Sequence, residues 1–346
     1  MDSIDPQYTQ SAASLASAYL ASLLPALEQA YPLVDVAAMV QRAGIKPEEL
    51  EDPDFLIPFY RAGAFFLELL RETQDEGLGL VLGAAVQPRS YQTLGYAILS
   101  SNTLHQAIDR LIRYEQLVGQ LGSTTLEIDD KVRLIWHCPF EGPWTRYIRE
   151  AAITGWVAYA TSLLANPVKA NAVHFSHGLV GDPSRYEAIY GCPVIFSSSF
   201  DGVEFDARFL NEPLRSADPG LSALMESRAK DMLACFHNKL NLANEVREQI
   251  AYVLPNGDPA LEEVAARLKL SGRALQNRLK SLGITFKDVV DEVREQLAYN
   301  YLEKTDTSII DVAFLLGFSE QSSFSRAFKR WSGVAPIEYR RQKIAL

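Results

Sequence analysis

The feature that most constrains this chain is a repeat near its end. Val264, Ala265, Leu268 and Ser271 recur 48 residues later as Val312, Ala313, Leu316 and Ser319. After one inserted residue, Leu275, Leu279 and Lys280 recur as Phe324, Phe328 and Lys329. In each copy the apolar spacing predicts a short helix, a break (Lys269-Leu270 or Gly317) and a second amphipathic helix. Asp258, followed by Pro259, is suited to cap the first helix, and Ser271 to cap the second, which ends at Gly283. In the second copy Ser308 and Asp311 form a capping-box pattern, and Ser319 starts the last helix of the pair. The small Ala265 and Ala313 let the second helix cross close over the first, as a helix-turn-helix requires. Between the copies, Phe286–Glu303 carries Val289, Val293, Leu297 and Tyr301 at steps of four. An 18-residue helix spans about 27 Å. Such a rod can hold two reading helices toward successive major grooves, about 34 Å apart along a duplex.

Charge at first sight opposes that reading. The 346 residues hold 33 Lys and Arg against 43 Asp and Glu, a net charge of −10, which excludes a polycationic coat protein. The acidity is not evenly spread, however. Residues 1–255 hold 19 basic and 31 acidic side chains, whereas 256–346 hold 14 and 12, so the repeat region is slightly positive.

Residues 258–341 resemble the DNA-binding domain of the AraC/XylS family of bacterial transcription regulators. The likeness is densest in DVAFLLGFSEQSSFSRAFKRWSGVAPIEYRR, Asp311–Arg341. With Leu275 and Leu279 inward, Gly272, Arg273, Gln276, Asn277 and Lys280 are left outward, and the resemblance implies that Arg273, Gln276 and Asn277 face bases. Arginine suits guanine, and Gln or Asn suits adenine, through paired hydrogen bonds. In the second reading helix Gln321, Ser322, Ser325 and Arg326 lie opposite Phe324 and Phe328 and are the expected base readers. Lys280, Lys329 and Arg330 are expected to hold phosphates, which position the protein without reading sequence. Trp331, Val334, Pro336 and Tyr339 read as core and helix-ending residues. Two departures stand out: Lys269 occupies the place of a usual turn glycine, and Asn277 that of a common arginine.

The long acidic part reads as mixed helix and strand. Helical periodicity marks Ser11–Leu24, Pro58–Glu72, Thr103–Leu121, Trp144–Leu164 and Leu221–Leu240. Thr124–Ile128 and Val132–Cys138 read as a hairpin turning at Asp129-Asp130, and Val173–His177, Val194–Ser197 and Val203–Phe205 as further strands. Leu94–Tyr114 and Tyr186–Leu221 resemble the arabinose-binding-like effector domain of one branch of the same family, which implies sensing and dimerisation. Trp136, Trp144, Trp156, Tyr159 and Phe175 are the candidate pocket aromatics. An interior without a cavity of about 300 Å3 would favour an assembly module over a ligand sensor. In Leu221–Leu240 the stripe Leu221, Met225, Met232, Phe236 and Leu240 suits either a second copy or its own domain.

Catalysis finds no support. GxSxG, HExxH and GxGxxG are absent, and GLGLVLG (77–83) lacks the strand before it and the Lys-Ser/Thr that a phosphate loop needs, so a turn with close helix packing is expected. His174 and His177 would point to opposite faces of a strand, and no base is placed to activate Cys138. Cys138, Cys192 and Cys235 lack CxxC spacing and suit a reducing cytoplasm. Met1–Tyr8 carries two aspartates rather than a basic leader, and no run of about 18 uncharged apolar residues spans a membrane.

The expected architecture is α+β: a mixed α/β effector and dimerisation domain over 1–213, a helical connector over 214–256, and an all-α DNA-binding domain over 257–346. Its two helix-turn-helix units are joined by a linker helix. The expected protein is a cytoplasmic, dimeric, non-enzymatic regulator binding double-stranded promoter DNA, modulated by a small effector, with no cofactor or metal. RNA polymerase is a further partner if it activates. The alternative keeps DNA binding but makes the first domain a protein-interaction module.

Overall fold

The computed structural model describes residues 13–53, 55–142, 144–164, 170–280, 282, 284–304 and 307–344. Apart from the first ten residues, the chain divides into two units, Ser11–Ala234 and Cys235–Leu346.

The first unit runs β1 (Ser14–Ala16), α1 (Ser17–Ala30), α2 (Val36–Arg42), α3 (Pro47–Glu51), β2 (Leu56–Pro58), α4 (Phe59–Thr73), α5 (Leu78–Ala84), α6 (Gln92–Leu99) and α7 (Leu104–Tyr114). It continues with β3 (Ser123–Ile128), β4 (Val132–His137), α8 (Thr145–Leu163), β5 (Ala172–His174), α9 (Pro183–Tyr190), β6 (Val194–Ile195) and β7 (Asp201–Phe205). The last five strands form one sheet in the order β3-β4-β7-β5-β6, antiparallel except for β5 and β6. The expected β3–β4 hairpin is present, its turn closed by the Asp129 amide donating to the Lys131 carbonyl at 3.1 Å. Alternation along β4 buries Val132, Leu134 and Trp136 in one core with Ile153 and Tyr159 of α8 and Tyr114 of α7. A second core joins Leu20, Leu23 and Leu27 of α1 to Met39 of α2, Phe65 of α4 and Leu78 of α5.

GLGLVLG forms α5 rather than a turn, and the expected close helix packing is there. A Cβ on Gly79 would stand 2.6 Å from the Tyr147 carbonyl oxygen, and one on Gly83 2.4 Å from Cβ of Thr154. Both neighbours belong to α8, so the glycines set the approach of the two helices.

α10 (Pro219–Val253) is longer than its sequence stripe suggested, because no helix breaker intervenes before Pro255. Along the expected stripe Leu221 is exposed, Met225 and Met232 are half-buried and Phe236 is buried; the side chain of Leu240 lies outside the described residues. Its first half gives Ala229 to the core of the first unit. Its last turns give Val246, Ile250 and Val253 to a core of the second unit, beside Val264, Ala265, Leu275 and Leu279.

The second unit continues with α11 (Leu261–Arg267), α12 (Gly272–Lys280), α13 (Phe286–Lys304), α14 (Ile309–Leu315), α15 (Gln321–Ser332) and α16 (Pro336–Ile344). The repeat maps onto twin cores: Val264 and Ala265 are fully buried in one, Val312 and Ala313 in the other. The linker α13 serves both, with Val289 and Val293 toward the first and Ala298, Tyr299 and Leu302 toward the second. The expected Ser308 cap forms, its hydroxyl accepting from the Asp311 amide at 3.1 Å. Asp258 does not cap. α11 begins later, after Ala260, and Asp258 instead receives the Arg294 guanidinium at 2.7 Å. α15 likewise starts after Glu320 rather than at Ser319. Gly283, the expected end of α12, lies outside the described residues.

Candidate DNA interface and buried cavity

The second helix of each helix-turn-helix unit is oriented by the apolar pair it buries. Leu275 and Leu279 anchor α12, leaving Arg273, Gln276, Asn277 and Lys280 exposed. Gly272, expected outward, is half-buried near the Glu262 carboxylate. Phe324 and Phe328 anchor α15 and leave Gln321, Ser322, Arg326, Lys329 and Arg330 exposed, while Ser325 is half-buried. Local partners already hold some of these groups. Ser322 donates to Glu320 at 3.0 Å, Arg326 to Ser323 at 3.3 Å, and Arg330 pairs with Asp291 of α13 at 3.4 Å.

The turn before α15 is clamped by a residue that sequence reasoning missed. Arg294 is 8 % exposed on α13 and donates to the Leu316 carbonyl at 2.9 Å, to the Gly317 carbonyl at 3.2 Å and to Asp258. Its guanidinium also stacks 4.5 Å from the Phe318 ring. Carbonyls at a helix C-terminus lack partners within the helix, and Arg294 supplies them for α14. The only sequence trace is a charge in the apolar stripe Val290-Arg294-Ala298. Gly317 has φ +72, and a Cβ there would lie 2.4 Å from the Gly257 carbonyl oxygen. At the equivalent place in the first copy, Lys269 adopts φ +57, so the missing turn glycine is a real left-handed strain.

The first unit holds a cavity of about 160 Å3 that is partly open to solvent. That falls short of the roughly 300 Å3 expected of a drug-sized effector site, which by that measure favours an assembly module. It is nonetheless close to an engineered cavity that holds benzene, so it has room for an effector the size of one aromatic ring. Trp136, Trp144 and Trp156 line it, as do Tyr19, Tyr91 and Glu115, which the sequence reading did not name. Tyr159 faces a neighbouring cavity of about 90 Å3, and its hydroxyl donates to the Gly95 carbonyl at 2.6 Å. Phe175 is fully buried against Tyr186, Tyr190 and Phe196 and lines neither. Burial pushes the Tyr19 hydroxyl up to about 12 and raises the Glu115 carboxyl above its ordinary value; both oxygens of Glu115 accept from Thr124, one from the amide at 2.9 Å and one from the hydroxyl.

α7 has a second, polar face. Arg110, 4 % exposed, donates to the Ala97 carbonyl, to Ser101 and Ser222 and to Glu226 at 2.8 Å. Glu226 also receives the Tyr114 hydroxyl at 2.7 Å and Arg113 at 3.0 Å. Ser222 and Glu226 belong to the start of α10, so α7 holds that helix by a fully hydrogen-bonded charge cluster.

Another buried acid lies elsewhere in the unit. Glu150 is fully buried, and desolvation raises its carboxyl to about 7 despite the Tyr186 hydroxyl bond and Arg146 at 3.7 Å. His177 Nε2 stands 3.6 Å away, whereas His174 stacks on Phe200 with centroids 4.3 Å apart. Among the described residues no group of three or more His, Cys, Asp or Glu could hold a metal, and no helix is long and apolar enough to cross a membrane.

Comparison with known proteins agrees with this geometry. Residues 34–214 match the profile of the arabinose-binding domain of AraC transcription regulators, and residues 264–342 match a helix-turn-helix domain. The ornithine utilization regulator of Pseudomonas aeruginosa is 29% identical over 306 residues, covering 88% of this chain and 90% of its own. The regulator VirS of Mycobacterium tuberculosis is 26% identical over 309 residues, covering 89% and 84%. The crystal structure of the regulator CdpR from Pseudomonas aeruginosa aligns with TM-score 0.43 and 21% identity, covering 88% of this chain and 96% of that one. The chain belongs to the AraC family of DNA-binding transcription regulators, with an arabinose-binding-like domain ahead of its tandem helix-turn-helix units.

Proposed function

We propose that the protein is a dimeric, ligand-modulated regulator working in the cytoplasm, in which occupancy of the first unit's cavity alters the DNA affinity of the second. One observation carries this reading: α7 presents Leu111 to the cavity, with Glu115 directly after its last turn, and Arg110, Arg113 and Tyr114 to Glu226 of α10. A ligand that shifts α7 therefore acts on the helix that continues into the DNA-reading unit. A ligand changes an equilibrium only by its differential affinity for two states, and the clasp on Glu226 is an element whose geometry can differ between them. DNA contact falls to Arg273, Gln276, Asn277, Gln321, Ser322 and Arg326 for bases, with Ser325 less accessible, and to Lys280 and Lys329 for phosphates. Arg330 contributes once released from Asp291. Two copies reading two half-sites raise effective affinity without new contacts.

The test is promoter retardation by the full-length protein at physiological salt, with and without effector. Glu226→Gln should keep specific binding while abolishing the effector response. Loss of specific binding in the unaltered protein, or an unchanged response in the variant, would sink the reading.

A further inference from the structure

The chemistry of the cavity wall restricts its occupant. Among the described residues that line it there is one carboxylate, Glu115, and no Lys, Arg or His. A buried anion would meet that carboxylate with no opposite charge to compensate it, which is strongly unfavourable. An organic cation meets the reverse situation. The Thr124 amide and hydroxyl each engage one oxygen of Glu115, and a carboxylate has about four acceptor positions, so two stay open. No Lys or Arg is among the groups that set its titration.

The rest of the wall is mostly apolar, with aromatic rings, three of them indoles, set among leucines. Thr124 is the cross-strand partner of Trp136, and directly opposed side chains on a sheet share a face. The Glu115 carboxylate and the Trp136 indole thus border one wall. A Cβ on Gly122 would lie 2.3 Å from that indole, so the glycine makes room for the ring. Trp156 and Trp144 complete the set, and aromatic faces attract desolvated cations.

We infer that the cavity takes a protonated organic amine on an apolar body the size of one aromatic ring, its ammonium set against Glu115 and the surrounding indoles. The inference rests on the ligand-sensing reading above and adds the class of ligand. Acid should weaken such binding, because burial already raises the Glu115 carboxyl and its protonation removes the counter-charge.

Matched probes on the full-length protein separate the classes: benzylamine, benzyl alcohol and benzoate, then hexylamine, hexanol and hexanoate, by titration calorimetry. The amines should bind best and the carboxylates worst. Glu115→Gln should weaken amine binding about tenfold or more while leaving the alcohols within about twofold. Gly63 lines the cavity with no atom within 4 Å of where its Cβ would stand, so Gly63→Leu should fill the space and abolish binding of every probe. Should Glu115→Gln fail to fold, lowering the pH on the unaltered protein must weaken amines more than alcohols. Carboxylates binding as tightly as amines, or an amine affinity indifferent to both Glu115→Gln and pH, would overturn the amine assignment alone. No binding of any of the six probes would overturn the ligand-sensing reading with it.

Discussion

Lys269 and Gly317 occupy equivalent turns, yet only one of them is the residue its backbone favours. A non-glycine residue in the left-handed region costs about 1–2 kcal/mol, and Lys269 is exposed with φ +57. Lys269→Gly should therefore raise stability by roughly 0.5–1 kcal/mol, part of the relief being lost to the freer unfolded chain. Gly317→Ala should lower it by about 1–3 kcal/mol, because its Cβ would strike the Gly257 carbonyl. Urea unfolding of both variants checks the contrast. Lys269 was legible because a repeat exposes a departure from itself. Arg294, Asp258 and Arg110 were not, since their partners lie 9 to 116 residues away and only the fold brings them together. Glu150 supplies a pH prediction. Its carboxyl titrates near 7 when folded and near 4.5 in the ordinary state, so the unfolded chain ionises first. The stability present below pH 4.5 is lost as pH rises through 7. Glu150→Gln, which can still accept the Tyr186 hydroxyl, should flatten that decline in urea midpoints measured from pH 5 to 8; an unchanged slope would show that another group titrates.

At the scale of elements, the proposed interface gives the exposed side chains of α15 two tasks. Arg326→Ala should cost on the order of 1–3 kcal/mol and relax preference at one base position, seen by binding to a panel of substituted operators. Lys329→Ala should weaken all sequences alike and shallow the salt slope by about one. Arg330→Ala should do less than Lys329→Ala, since Arg330 must first leave Asp291. The helix-turn-helix units were legible because each is a local pattern of caps and apolar spacing repeated in full. The helical connector was expected over 214–256, but what its last turns serve was not legible: their stripe of Val246, Ile250 and Val253 finds its partners only across the turn, in Val264 and Leu275. A fragment starting at 257 would lose Val246, Ile250, Val253 and Leu254, aliphatic side chains worth about 1.5–3 kcal/mol each when buried. It should melt well below one starting at 241, as circular dichroism would show.

For the molecule as a whole, the split in charge should keep non-specific DNA affinity low, because a slightly basic C-terminal stretch is joined to a strongly acidic remainder. A salt series of binding to random-sequence DNA checks this. The sequence named the family, its two kinds of domain and three aromatics of the cavity, but neither the carboxylate beside them nor the contact of α7 with α10, both products of tertiary packing. Placement of the indoles has a practical consequence. Three of the four tryptophans line the cavity, and the fourth, Trp331, packs against the core that holds α15. With Trp331→Phe, tryptophan emission, excited to the red of tyrosine absorption, becomes an optical record of the cavity indoles. Thermodynamic reciprocity requires that operator DNA shift an effector titration by the same factor as effector shifts DNA binding. The molecule thus carries its own reporter for measuring that factor from the effector side, without a label or a promoter assay.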